Sequence, residues 1–274
     1  MSFISVVILN FNRPDFIKND IIKSIKKNKN IDEILISHGK ESTYFEMKEV
    51  KSLKHYGKMN EEYGLALRFL TGALSKNNYV MIIDDDIIPT DETINFLYQK
   101  IIKEPDIIHG IYGRDISKGY SVNNVFGEIP IVLTRCLMTT KGMCNYFMKH
   151  FRNYENNLIK NAKPYWNGED ILFSLLSIER SKKLNKSYDL SHYNRVLNYL
   201  NFSESISFKK DHIDYRNEIT TYFLEKLDIE NITKKSRILH KKNQIIYFIK
   251  NSILVYFFYG IIVIIILSII KKYF

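Results

Sequence analysis

Apolar positions along this 274-residue chain follow two rhythms. Largely apolar runs at residues 3–9 (FISVVIL) and 79–83 (YVMII) have the length and β-branched content of strands buried on both faces, and residues 31–37 (IDEILIS) read as a further strand. Between residues 9 and 31, Phe16, Ile17, Ile21, Ile22 and Ile25 recur at helical spacing after Pro14, which suits a first helical turn. Leu65, Ala66, Phe69, Leu70, Ala73 and Leu74 repeat the pattern and predict a helix over about 61–75, capped by Asn60, with Arg68 on or near its outer side. Further helices are expected over about 91–103, 139–151 and 214–227, and after residues 167–170, where Ile171, Leu172, Leu175, Leu176 and Ile178 follow. Strands are expected over 107–114 and 129–133. Strand, helix and strand in this order predict an α/β fold with a mostly parallel central sheet.

Ligands of such sheets bind beyond the carboxyl ends of the strands. The 79–83 run ends there on Asp84, Asp85 and Asp86. Three adjacent carboxylates repel one another and resist burial without a cation, and hard oxygen ligands suit Mg²⁺ or Mn²⁺ carrying substrate phosphates. The plain alternative is a solvated loop that caps a core strand. Glu169 and Asp170 open a late helix after Gly168, which permits a tight approach. They are either capping acids favoured by the free N–H groups of a first turn, or a second acidic element facing the first.

The formal net charge of +10 changes meaning once it is located. From Asn231 onward there are eight Lys or Arg and no acid, so the rest of the chain is nearly neutral. That argues against a phosphate-backbone footprint and against a nucleic-acid partner. The two cysteines, Cys136 and Cys144, offer neither a zinc ligand set nor a disulfide framework and are read as buried thiols. The first strand begins almost at Met1, which leaves no room for a signal peptide.

Residues 253–270 form an uncharged stretch, which as a helix at ~1.5 Å per residue approaches the ~30 Å hydrocarbon thickness of a bilayer. This predicts a C-terminal transmembrane helix, with residues 231–252 a basic juxtamembrane segment and 271–274 a short tail. The Lys and Arg excess before it predicts a single-pass tail anchor, with the membrane as a partner and the globular domain in the cytoplasm.

An opening strand followed by Phe11-Asn12-Arg13, the Asp84–Asp86 triplet, a strand ending in Gly113-Arg114 and the Glu169-Asp170 pair together resemble a GT-A glycosyltransferase. The likeness, over residues 3–228, is to the exostosin-like transferases that add N-acetylhexosamine from a UDP-sugar. It implies a GT-A domain over 1–230, a UDP-sugar donor, a glycan or glycoconjugate acceptor and Mn²⁺ or Mg²⁺. It assigns Asp86 as direct metal ligand, with Asp84 and Asp85 orienting the ribose, metal waters or donor sugar. Asp84 and His212 are further candidates for the metal. Asp170 would lie near the anomeric carbon with Glu169 beside it. Asn12, Arg13, Asn60, Arg68 and Arg216 are candidates for the nucleotide, and Arg114 for donor hydroxyls or an acidic partner. Leu133-Thr134-Arg135 stands where that family has a Gly-Ala pair beside the acceptor, and the cysteines do not reproduce its usual disulfide.

Two other readings use the same residues. Asn60 through Arg68 is reminiscent of the inverting synthases related to chitin and cellulose synthase, in which Asp170 would remove the acceptor proton. An inert membrane-tethered scaffold is the alternative from outside enzymology, disfavoured by the complete acidic set. A nucleotidyltransferase would need a Gly-rich loop after the first strand, and residues 10–14 contain no glycine.

Overall fold

The computed structural model describes residues 3–117, 119–157, 167–190, 194–196, 211–227, 229 and 231. The chain divides into two units, Met1–Thr233 and Lys234–Phe274, and the described residues all belong to the first. Its strands are β1 (Ile4–Asn10), β2 (Ile31–His38), β3 (Lys51–Lys54), β4 (Tyr79–Asp84), β5 (Ile87–Ile88), β6 (His109–Gly110), β7 (Gly113–Arg114), β8 (Gly127–Ile129), β9 (Ile131–Val132), β10 (Cys136–Thr140), β11 (Asn185–Ser187) and β12 (Arg195–Val196). The helices are α1 (Pro14–Phe16), which continues through a π turn at Ile17–Ile21 into α2 (Ile22–Ile25), then α3 (Lys58–Tyr63), α4 (Leu67–Ala73), α5 (Asp91–Lys103), α6 (Lys141–His150), α7 (Glu169–Ser181) and α8 (His212–Lys226).

Among the described residues the main sheet runs β3-β2-β1-β4-β10-β6-β11-β8. β1 lies parallel to both β2 and β4, as the largely apolar runs of β1 and β4 predict for central strands. Their side chains alternate between two cores. Val7, Leu35, Val80 and Ile82 face Phe69, Phe147 and Phe173, whereas Val6, Ile8, Met81 and Ile83 face Ile17, Ile21, Leu97 and Ile101. Phe69 is fully buried and stacks on Phe173, with ring centroids 4.1 Å apart and Phe147 at 4.4 Å.

The pattern of apolar positions does not predict β10. It runs antiparallel to β4 on one side and β6 on the other. Its sequence, CLMTT, is short and ends in threonines, so periodicity alone joins it to the helix that follows. In fact Thr140 closes the strand and caps α6, its hydroxyl accepting from the Met143 N–H at 3.2 Å. The helix expected over 61–75 is also divided. α3 starts after Gly57 rather than after Asn60, and Gly64, at φ +50°, breaks it before a 3-10 turn and α4. Arg68 is only 5% exposed, in place of the outer side expected for it, because its guanidinium is drawn in by the Leu65 carbonyl, Asp84 and Thr134.

The expected C-terminal transmembrane helix is corrected. Among the described residues no helix is long and apolar enough to cross a membrane. Residues 253–270 themselves lie outside the described residues. The expected tail anchor, membrane partner and single-pass topology with a cytoplasmic domain rest on that segment, and no helix among the described residues supports them.

Replacing Phe69 by Ala removes the ring that joins α4 to α6 and α7 beneath β1. The expected cost is about 3–5 kcal/mol of unfolding free energy, read from urea denaturation as a lower midpoint with an unchanged slope.

Candidate active site

The parallel strands β1, β2 and β4 end on one side of the sheet, and the polar residues after each meet there. Ile83 is the last fully buried residue of β4, and Asp84, Asp85 and Asp86 follow as the strand leaves the core. Each acid is matched with a different arginine. Asp84 accepts from Arg68 Nη1 at 2.6 Å, Asp85 is ion-paired with Arg13 from the turn after β1, and Asp86 Oδ2 accepts from Arg135 Nη2 at 3.3 Å.

Burial raises the Asp85 carboxyl to about 6, since Arg13 offsets only part of the desolvation and Asp84 adds repulsion. Asp86 shifts upward for the same first cause, strengthened by Asp84 and opposed by Arg135 and Arg13. Asp86 Oδ1 is buried and has no hydrogen-bond partner among the described residues.

Arg68 links this strand end to the start of α7. Its Nε donates to the Leu65 carbonyl at 3.1 Å, Nη1 serves Asp84 and the Thr134 hydroxyl, and Nη2 lies 3.9 Å from Glu169 Oε1. Desolvation opposes its charge, but Asp84, Glu169 and Asp170 outweigh it and hold the guanidinium protonated. Glu169 is shifted upward by burial and by the adjacent Asp170, against the pull of Arg68 and Arg216.

Asp170 accepts two 2.8 Å bonds from Arg216 Nη2, one at each oxygen, and a third at 2.8 Å from the Ile171 N–H. Arg216 in turn donates to Asn167 Oδ1 at 3.1 Å and lies 4.5 Å over the Tyr120 ring. A Cβ on Gly168 would come within 2.6 Å of Ile219 Cδ1, so any larger residue would push the Ile219 side chain of α8 away from the start of α7.

The sequence candidates thus separate into groups. Asp84, Asp85, Asp86, Arg13, Arg68, Glu169, Asp170 and Arg216 form a chain of ion pairs through the crevice. Asn60 sits at the ends of β1 and β2, where its Oδ1 and the Phe11 ring border Gly39. Asn12 accepts from Lys40 Nζ at 3.2 Å in the same region. Arg114 turns along its own loop, to the Gly113 carbonyl at 2.8 Å and Asn124 Oδ1 at 2.5 Å. His212 belongs with Arg216 and Asp170: burial lowers its pKa, Arg216 adds to that, and Asp170 opposes it. Arg135, Thr134 and Tyr120 are the contributors that pattern reading passes over. Only Arg135 leaves a trace, as a bulky cation where the resembled family has small residues.

Among the described residues no three His, Cys, Asp or Glu side chains converge as a metal cage. A Mg²⁺- or Mn²⁺-type site does not require one, since such ions are held by one or two carboxylates and completed by substrate phosphates and water. The orphaned Asp86 Oδ1 fits that partial donor set.

A family model described as the Glycosyl transferase family 64 domain matches residues 4–244. Among solved structures, a crystal structure of S. aureus TarS 1-349 is similar at 14% identity and a TM-score of 0.47, over 71% of this chain and 60% of that one. The chain therefore spans less than two thirds of that structure's length. No curated protein matches the chain.

Asp85 makes stability depend on pH. Its carboxyl titrates near 3.8 when unperturbed and near 6 in the fold, so between these values the native state binds more protons than the unfolded one. Stability from this residue is complete below about 3.8 and is lost as the pH rises to about 6. In metal-free protein, thermal unfolding of Asp85→Asn should show a smaller loss of Tm than wild type across that window.

Proposed function

The chain belongs to the Glycosyl transferase family 64 domain family and has a GT-A-like α/β glycosyltransferase fold, and from that premise we propose a metal-dependent transfer from a UDP-sugar to a glycan or glycoconjugate acceptor. We place it with the exostosin-like enzymes, with N-acetylhexosamine as the donor sugar and retention at the anomeric carbon. The observation that carries the stereochemical part is the Asp170–Arg216 pair. Three of the roughly four acceptor positions of the Asp170 carboxylate are taken, two by Arg216 and one by the Ile171 N–H. A base must be free to move with the acceptor proton, whereas a residue that orients donor and acceptor, or counters positive charge at the reacting centre, is best held in one place, as this bidentate pair holds Asp170.

Mn²⁺ or Mg²⁺ would be held by Asp86 with Asp84 beside it, and would supply charge stabilisation where the diphosphate departs. Arg68 fixes Asp84 and Glu169 relative to one another, and Arg13 holds Asp85. Asn12 and Asn60, at the ends of β1 and β2, would meet the nucleoside. Arg114, on the loop toward Asn124, is left for sugar or acceptor hydroxyls.

The inverting reading has one observation in its favour. Glu169 is pushed upward by burial and neighbours Asp170, so it can exchange a proton nearer neutral pH than an ordinary carboxyl. The product decides between the two: an α-linkage from an α-donor supports retention with Asp170 as orienting group, and a β-linkage supports inversion with Glu169 as base.

The test is Mn²⁺-dependent transfer across a panel of nucleotide sugars and acceptors. Asp170→Asn should lower kcat by ~10²–10⁴ and leave the affinity for UDP unchanged. Equal turnover would remove Asp170 from the mechanism. Calorimetry with UDP and Mn²⁺ should show binding abolished in Asp86→Ala, and unchanged affinity would remove the metal from Asp86.

A further inference from the structure

Of the three Asp–Arg pairs at the end of β4, the one at Asp86 is the loosest. Arg68 is nearly buried and is anchored to Asp84, to Thr134 and to the Leu65 carbonyl. Arg135 has one 3.3 Å bond to Asp86, at the long end of the hydrogen-bonding range, and its side chain is 32% exposed. Its main chain is nevertheless fixed to the acidic strand, because the Asp84 N–H donates to the Arg135 carbonyl at 3.1 Å. The guanidinium rests 4.9 Å over the Tyr112 ring. It is thus a tethered cation beside the one acid of the triplet that keeps a buried, unpartnered oxygen.

We infer that Arg135 serves as an internal counter-cation for Asp86 that a divalent ion must displace, so that the empty enzyme resists the metal and takes it up together with the anionic donor. The inference rests on the reading that Asp86 holds the metal. Two positive charges cannot share Asp86 at short range without repulsion, and a bare divalent ion brings no negative charge to relieve it. A nucleoside diphosphate does bring that charge, and it gives the released guanidinium an alternative partner. Metal and donor then bind with mutual reinforcement, each raising the affinity of the other by the same factor.

The experiment titrates Mn²⁺ alone into the full chain, following the electron paramagnetic resonance signal of the free ion. It compares wild type, Arg135→Gln, Arg135→Met and the double variant Arg135→Met/Asp86→Ala. Methionine keeps apolar packing on Tyr112 without the charge, so a failure of the glutamine variant to fold does not end the test. Both single variants should bind Mn²⁺ about tenfold more tightly than wild type, and the double variant should lose the gain. Affinity equal to or below wild type in the folded single variants would overturn the proposal, as would a gain that survives in the double variant. Failure of the underlying metal reading shows elsewhere, as Mn²⁺-dependent UDP binding that Asp86→Ala leaves intact.

Discussion

The crevice depends on one kind of interaction, the pairing of carboxylates with guanidinium groups out of bulk water. Asp84, Asp85, Asp86, Glu169 and Asp170 face Arg13, Arg68, Arg135 and Arg216, and most members of both sets are largely buried. Leaving such a charge without its partner costs on the order of 3–5 kcal/mol. The partners come from the turn after β1, from α4, from the start of α7, from the residue before β10 and from α8. The same contacts that hold these segments in place therefore compose the reactive surface. Burial acts on the balance as well, because Asp85, Asp86 and Glu169 are all pushed toward their neutral forms. A divalent cation with a nucleoside diphosphate adds little net charge to this arrangement, whereas either alone would disturb it.

Features carried by contiguous residues are legible in the sequence itself. β1 and β4 announce themselves as apolar runs, and the acids that end β4 and open α7 lie next to patterns that locate them. The arginines are visible there as candidates, but their roles are not. Arg13 and Arg68 read as groups for a nucleotide, yet each is committed to an aspartate. Arg68 is buried by the partners that its guanidinium finds, Asp84 and Thr134, and no hydrophobic count registers such a pairing. Arg135 meets Asp86 across 49 residues of chain, and such a pairing leaves no local period.

A local signal can also promise too much. The uncharged C-terminal run reads as a membrane span, although the described part of the chain contains no helix able to cross a bilayer. The family match supports a glycosyltransferase without fixing the donor or the stereochemistry. Those finer properties sit in side chains around the crevice, such as the committed oxygens of Asp170, and families are defined more coarsely than that.

The antiparallel placement of β10 has a consequence for how the molecule acquires its activity. β10 inserts beside β4 only after the chain from Asp85 to Arg135 has been brought round, a separation of the same order as the one that the β1–β4 pairing closes. Its pairing carries the loop-closure entropy of that whole segment, and non-local contacts of this kind are the slow ones in folding. Because β10 runs against β4, its beginning lies at the acidic end, and as it docks it brings Thr134 to Arg68 and Arg135 to Asp86. A chain that has built β1, β2 and β4 alone would present the three aspartates with Asp86 lacking its counter-charge. Docking of β10 gives β4 its second neighbour and supplies Asp86 with its counter-charge in a single event, so a chain lacking it is both unfinished and electrostatically marked.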